Sequence, residues 1–188
     1  MSFQTAVAYT IAAGMPGEFG NTGPHRVKPA LLNSTTPAQN LFGRAAVIKS
    51  GATGSFPVAG DGGANPAPMI VGVGEAANSN FAGILMFPKN AVTYGGAQGP
   101  LSPSYVAPNG DIYEFCTEGD VFLTLPAAAN AGDVLYFKIA DGTLATAAPG
   151  AAVPAGCAGP IGTVEYFTNA AADIALCHLE PRVPAVAP

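Results

Sequence analysis

Apolar positions along the chain recur at every second residue or in short runs that glycine and proline cut off. That pattern belongs to half-buried strands rather than to helices. The alternation is cleanest over residues 133–140 (DVLYFKIA), with Leu135, Phe137 and Ile139 on one face and Tyr136 and Lys138 on the other. Asp141-Gly142 follows as a two-residue type I′ turn into TLATA. Upstream, IYEFCT (112–117) and VFLTLP (121–126) flank the turn formers Glu118-Gly119-Asp120, and predict a hairpin. Residues 160–168 and 173–180 predict two more strands, after which Pro181, Pro184 and Pro188 end regular structure. Earlier, MIVGV (69–73) and FAGILMF (81–87) stand as short apolar stretches among loops, and 41–50 (LFGRAAVIKS) predicts the first strand.

Before residue 41 the pattern changes. Seven glycines and prolines between positions 16 and 37 leave no room for an amphipathic repeat, yet Phe3, Val7, Tyr9, Ile11, Phe19, Leu31 and Leu32 are embedded among them. A long segment of this kind is either disordered or ordered by what it lies against, and the embedded hydrophobics favour the second. The predicted organisation is an extended arm over 1–40 and a β-rich body over 41–188. Within the body, 51–108 reads as loop-rich and 109–181 as hairpin-rich. The fold class that follows is all-β, a β-barrel or sandwich of short antiparallel strands with an extended N-terminal arm.

Composition sharpens this picture. Charged residues are 10% of the 188, against roughly 25% in an ordinary soluble domain. A surface so poor in charge exposes many small apolar groups and suits a protein held in an assembly. The net charge of −5 is unevenly spread, at +3 over residues 1–50, −1 over 51–110 and −7 over 111–188. A basic leader on an acidic body steers that leader toward an acidic partner surface. Four scattered cations without interleaved aromatics do not make a nucleic-acid site. Residues 142–164 carry no charge, but Pro149, Pro154 and Pro160 interrupt them, so no membrane span is predicted. Residues 5–13 are apolar but lack a preceding cation, and read as mature sequence rather than a signal peptide.

Candidate chemistry is sparse. Gly72-Val-Gly74-Glu-Ala-Ala77 matches a dinucleotide fingerprint in spacing, but the residues after it do not predict the helix that would face a phosphate, so it reads as a strand-end turn. Cys177 and His178 are strand neighbours that point to opposite faces and cannot form a dyad. No nucleophile elbow accompanies His178. Asp111, Glu114, Glu118 and Asp120 cluster near one predicted turn without calcium-loop spacing. Cys116, Cys157 and Cys177 form neither a disulfide framework nor a zinc pattern, and read as buried free thiols. Asn33-Ser34-Thr35 is a chance sequon. The sequence therefore predicts no enzyme, catalytic residue, metal site or cofactor.

The leader MSFQTAVAYTIAAGMPGEFGNTGPHR followed by LFGRAAVI resembles the start of tailed-phage structural cement and head decoration proteins. The order Ala131-Gly132-Asp133-Val134-Leu135-Tyr136, Asp141-Gly142, Pro160-Ile161-Gly162, Val164 and a last strand ending near Leu179 is similar to the same family. The resemblance covers 1–48 and 109–181, while 51–108 adds nothing to it. It implies a homo-dimer or homo-trimer seated on the outer capsid surface of the virion, where it bridges neighbouring subunits of the major capsid protein. Neither nucleic acid nor membrane is an expected partner. Phe19, His25, Arg26, Lys28 and Leu31 are the expected capsid-docking residues. The alternative is a tail- or fibre-associated adhesin that uses the loops of 51–108.

Overall fold

Among the described residues, nine strands form where β-branched and aromatic residues alternate or run together between glycine and proline breaks: β1 (Arg26–Leu32), β2 (Ala45–Ile48), β3 (Ile70–Val73), β4 (Phe81–Leu85), β5 (Ile112–Leu125), β6 (Val134–Lys138), β7 (Leu144–Ala147), β8 (Cys157–Val164) and β9 (Asp173–Leu179). The computed structural model describes residues 14–20, 23–49, 69–75, 79–87, 106–166 and 173–180. Among these, helix is limited to one 3-10 turn, Pro37–Gln39. The all-β expectation holds.

Barrel and sandwich are both present, because five strands close on themselves. β1 pairs with β3 in parallel and with β5 antiparallel, β2 lies between β3 and β4, and β4 pairs with β5. The ring encloses Ala30, Leu32, Ala46, Val71, Val73, Ala82, Leu85 and Phe115. Alanine at three of those positions leaves room for the Phe115 ring. The intervening residues Val47, Ile84 and Cys116 point outward into a second, larger core with Val121, Leu123, Leu135, Phe137, Leu144, Ile161 and Leu179. That core lies beneath the sheet β5–β9–β8–β6–β7. Strand β2 has three buried residues in a row because both of its faces are covered.

The predicted hairpin over 112–126 is instead one continuous strand of 14 residues. Its first part, through Glu118, pairs with β1, and its second, from Gly119, pairs with β9. The turn formers bend the chain without reversing it. Gly119 has φ +119°, and a Cβ there would come within 2.7 Å of the His25 Cβ. Only glycine fits both conditions.

Part of the expected arm over 1–40 lies within the fold. Residues 26–32 are β1, a member of the ring. Ahead of it, the Gly17 and Gly20 N–H groups donate to the Phe122 and Asp120 carbonyls, and Phe122 N–H donates to Glu18 O. These contacts add a short antiparallel segment along β5. The segment is extended as expected, but from residue 14 onward its neighbours belong to its own chain. Residues 1–13 and most of 51–105 lie outside the described residues.

The β6–β7 hairpin forms as expected with a longer loop. Lys138 N–H donates to Thr143 O and Gly142 N–H to Lys138 O, so residues 139–142 make the connection.

Two outcomes follow. Removing residues 1–40 takes β1 from the ring and exposes Phe115 and Val71, so circular dichroism and thermal melting will show a chain without cooperative unfolding. Gly119→Ala forces a side chain into a left-handed conformation against His25, at a cost of about 1–3 kcal/mol by denaturant titration.

Candidate docking surface

The five expected docking residues do not converge. Phe19 bridges to Val121 and packs on the larger core, so its ring is committed to its own chain. It stacks on exposed His25 with ring centroids 4.1 Å apart. Arg26 follows in β1, with Nε 3.7 Å from Glu118 Oε2. An ion pair this exposed contributes little to stability. Lys28 is exposed although it follows the parity of inward-facing Ala30 and Leu32, which places it at the rim of the ring.

Leu31 belongs to a different patch. Its cross-strand partners are Ile70 on β3 and Ile112 on β5. Leu32, Val71 and Phe115 point into the ring, so alternation turns Ile70, Leu31 and Ile112 outward as one row across three strands. Ile112 is 63% exposed. Pro29, also exposed, precedes Leu31 on the same face. Ile70 and Ile112 were not anticipated. The available signal was Ile112 itself, a large apolar residue two positions before Glu114 on what is otherwise a polar face.

A buried polar network holds the loops at the ring's end. Ser34 and Asn40 are buried and hydrogen-bonded to each other, and Val73 N–H donates to Ser34 Oγ at 2.8 Å. Asn40 Nδ2 donates to Ala107 O and to Asn109 Oδ1. The sequon serine is therefore structural. Glu75, from the glycine-rich motif, accepts the Thr35 N–H at 2.7 Å and lies 3.2 Å from Lys49 Nζ. Burial works to raise its pKa, but the Thr35 hydrogen bonds and Lys49 outweigh it and hold the carboxyl below its ordinary range. Gly74 has φ +70° directly after β3, while Ala76 and Ala77, the rest of the motif expected to be a strand-end turn, lie outside the described residues.

Asp120 and His178 face each other across β5 and β9 on the solvent side of the second sheet, with His178 Nδ1 2.6 Å from Asp120 Oδ1. Glu165 completes a trio whose ligand atoms lie within 4.8 Å of one another. Cys177 is buried in the core beneath, so the neighbours do face opposite ways. Burial pushes the Cys116 and Cys177 thiols up to about 11 and about 12, leaving both protonated and unreactive at neutral pH. Cys157 departs from the buried reading and is half-exposed. Of the expected carboxylate cluster, Glu114, Glu118 and Asp120 are spread along β5 and Asp111 lies just ahead of it.

An all-β protein in which a closed ring and an open sheet share one strand is the class this fold defines, and its surface is sparse in charge. No helix among the described residues is long and apolar enough to cross a membrane. The chain belongs to the phage structural cement protein family (E217 gp24/Pam3 gp6), whose profile matches residues 3–180. It is thus a phage structural protein and a component of the virion. The match runs through 51–108, the part that added nothing to the resemblance in sequence. The fold is similar to that of a chain in the capsid of Myoviridae phage XM1, with 18% identity, a TM-score of 0.58, and coverage of 95% of this chain and 97% of that one. No curated protein matches the sequence.

The Asp120 hydrogen bond raises the His178 pKa above 6.5. Burial opposes the shift, while the charges of Asp120, Glu165 and Glu180 add to it. A raised folded-state value contributes stability that is complete below 6.5 and is lost as pH rises through the folded pKa. The melting temperature will therefore carry a His178 component that declines above 6.5. His178→Gln removes that component, and an unchanged pH profile in the variant would refute the assignment.

Proposed function

We propose that the protein is a capsid cement protein that binds the outer surface of the phage head and stabilises contacts between neighbouring major capsid subunits. The observation that carries this reading is the family match over 3–180, with a fold like that of a chain in a phage capsid. The physical features support it. The closed ring presents the row Ile70–Leu31–Ile112, while His25 just ahead of β1 and Arg26 and Lys28 within it lie exposed toward its start. A rigid apolar patch flanked by cations suits a capsid surface with an apolar groove and acidic rim. The role is non-enzymatic. It engages the major capsid protein and further copies of this chain, with neither nucleic acid nor membrane as partner.

Burying one large aliphatic side chain stabilises a contact by about 2 kcal/mol. Leu31→Asp or Ile112→Asp will then weaken binding to purified heads that lack the protein by roughly 30-fold or more. Melting temperature should be little changed, since both residues face solvent. Co-sedimentation and imaging of the heads measure this. Binding of both variants at the parental level would exclude the row as the docking surface, and density on the tail in place of the head would exclude cementing.

A further inference from the structure

The solvent face of the second sheet carries a cluster of ligand-type side chains away from the docking surface. Asp120 on β5 and His178 on β9 are direct cross-strand partners, and Thr163 on β8 lies opposite His178 on its other side. Val164 and Cys177 point into the core, so alternation turns Thr163, Glu165 and His178 to the outer face. Glu165 continues that face just past the end of β8, where its N–H donates to Leu176 O. Strand pairing thus brings together three residues that are far apart in the chain, which is why the sequence alone predicts no such cluster.

The donor set has the make-up of a cation site. An oxygen of Asp120, an oxygen of Glu165 and an imidazole nitrogen of His178 all lie within 4.8 Å of one another. His178 Nδ1 faces Asp120 Oδ1 at 2.6 Å. A hydrogen bond between those two accounts for their contact and leaves Glu165 unexplained. The charges acting on His178 are those of Asp120, Glu165 and Glu180, all carboxylates. One imidazolium balances a single negative charge, so an excess remains that a divalent cation neutralises. A tetrahedral ion with bonds of about 2.0–2.2 Å needs ligand atoms roughly 3.3–3.6 Å apart. A slight opening of the Asp120–His178 contact meets that need, together with a change of rotamer at exposed Glu165.

We propose that Asp120, Glu165 and His178 bind one divalent cation of the zinc class, with His178 Nδ1 and one oxygen of each carboxylate as ligands and water in the remaining position. Imidazole favours zinc-class ions over calcium and magnesium, which take oxygen ligands. Coordination requires a neutral ring, so the Nδ1 proton leaves to solvent and Nε2 keeps its own. The ion ties β5, β9 and the end of β8 together at Asp120, directly after the Gly119 bend where β5 passes from the ring to the open sheet. A metal held there stabilises the folded chain by mass action.

Isothermal titration of the full, untagged chain, stripped with chelator and measured without heads, tests this with Zn²⁺ as the probe. One ion per chain is expected, with a dissociation constant of about 10 µM or tighter. Saturating Zn²⁺ should raise the melting temperature by roughly 5 °C or more. Glu165→Gln and His178→Ala should each weaken binding about tenfold or more. His25→Ala and Cys157→Ser remove the other exposed histidine and the half-exposed thiol, and should bind Zn²⁺ as the parent does. In NMR spectra Zn²⁺ should shift the ring signals of His178 and leave those of His25 in place. If His178→Ala fails to fold, the exposed Glu165→Gln decides the matter. Absence of binding at about 1 mM Zn²⁺ would overturn the proposal, as would affinity undiminished in Glu165→Gln. Loss of binding in His25→Ala or Cys157→Ser would overturn it too, and so would Ca²⁺ held more tightly than Zn²⁺.

Discussion

The structure depends on β5 being shared. A strand that serves the ring with its first half and the open sheet with its second fixes two registers at once. A slip of one residue would turn Phe115 out of the ring and Val121 and Leu123 out of the larger core together. Each core therefore guards the register of the other. Residues 17–20 reinforce this by hydrogen bonding to the second half of β5, while Phe87 N–H donates to Gly17 O beside the end of β4. Gly14 and Gly20 approach Phe122 and Leu176 so closely that a Cβ at either would collide with those side chains. The result is a body with little freedom between its halves. Such preorganisation suits a protein that must dock without spending binding energy on ordering itself.

Much of the fold was legible because period-2 alternation reports burial of one face. It located β6, while short apolar runs between turn residues located β3, β4, β8 and β9, all within a few residues. Turn chemistry was a weaker guide. Glu118-Gly119-Asp120 has hairpin residues, but a hairpin forms only if its two arms are each other's best partners, and here β1 and β9 supply better ones from distant parts of the chain. β1 was hidden for a related reason. RVKPALL contains two cations and a proline, which argue against a strand when read locally. Pro29 is tolerated because β3 pairs with β1 at Leu31 and Leu32 alone, so no ladder bond on that side needs the missing N–H.

The candidate surface was legible in part for the same reason. Leu31 was visible as an apolar residue in a polar leader, but Ile70 and Ile112 join it only through strand pairing. The charge reversal along the sequence also changes meaning in three dimensions. Arg26 lies beside Glu118, Lys49 beside Glu75, and Arg44 donates to the Asp141 carbonyl. Part of the basic leader thus neutralises or caps its own acidic body, and the steering field left over is smaller than the segment totals imply.

A surface with so few charges raises a solubility problem that the topology partly resolves. Closing the ring removes the edges of five strands, so an apolar row can stand on its outside without a neighbouring strand to template aggregation. In the open sheet, residues 17–20 cover the side of β5 that β9 leaves free. Among the described residues these devices leave β7 as the strand of the open sheet that is paired on one side only, and the sequence after it carries no charge as far as residue 164. Polar backbone groups at a bare edge are solvated by water in a free monomer, and exchanging that water for another strand changes the free energy only modestly per hydrogen bond. A chain that must remain soluble before assembly and adhere after it benefits from such a balance. Weak edge contacts become firm once many copies are held at high local concentration on one large particle.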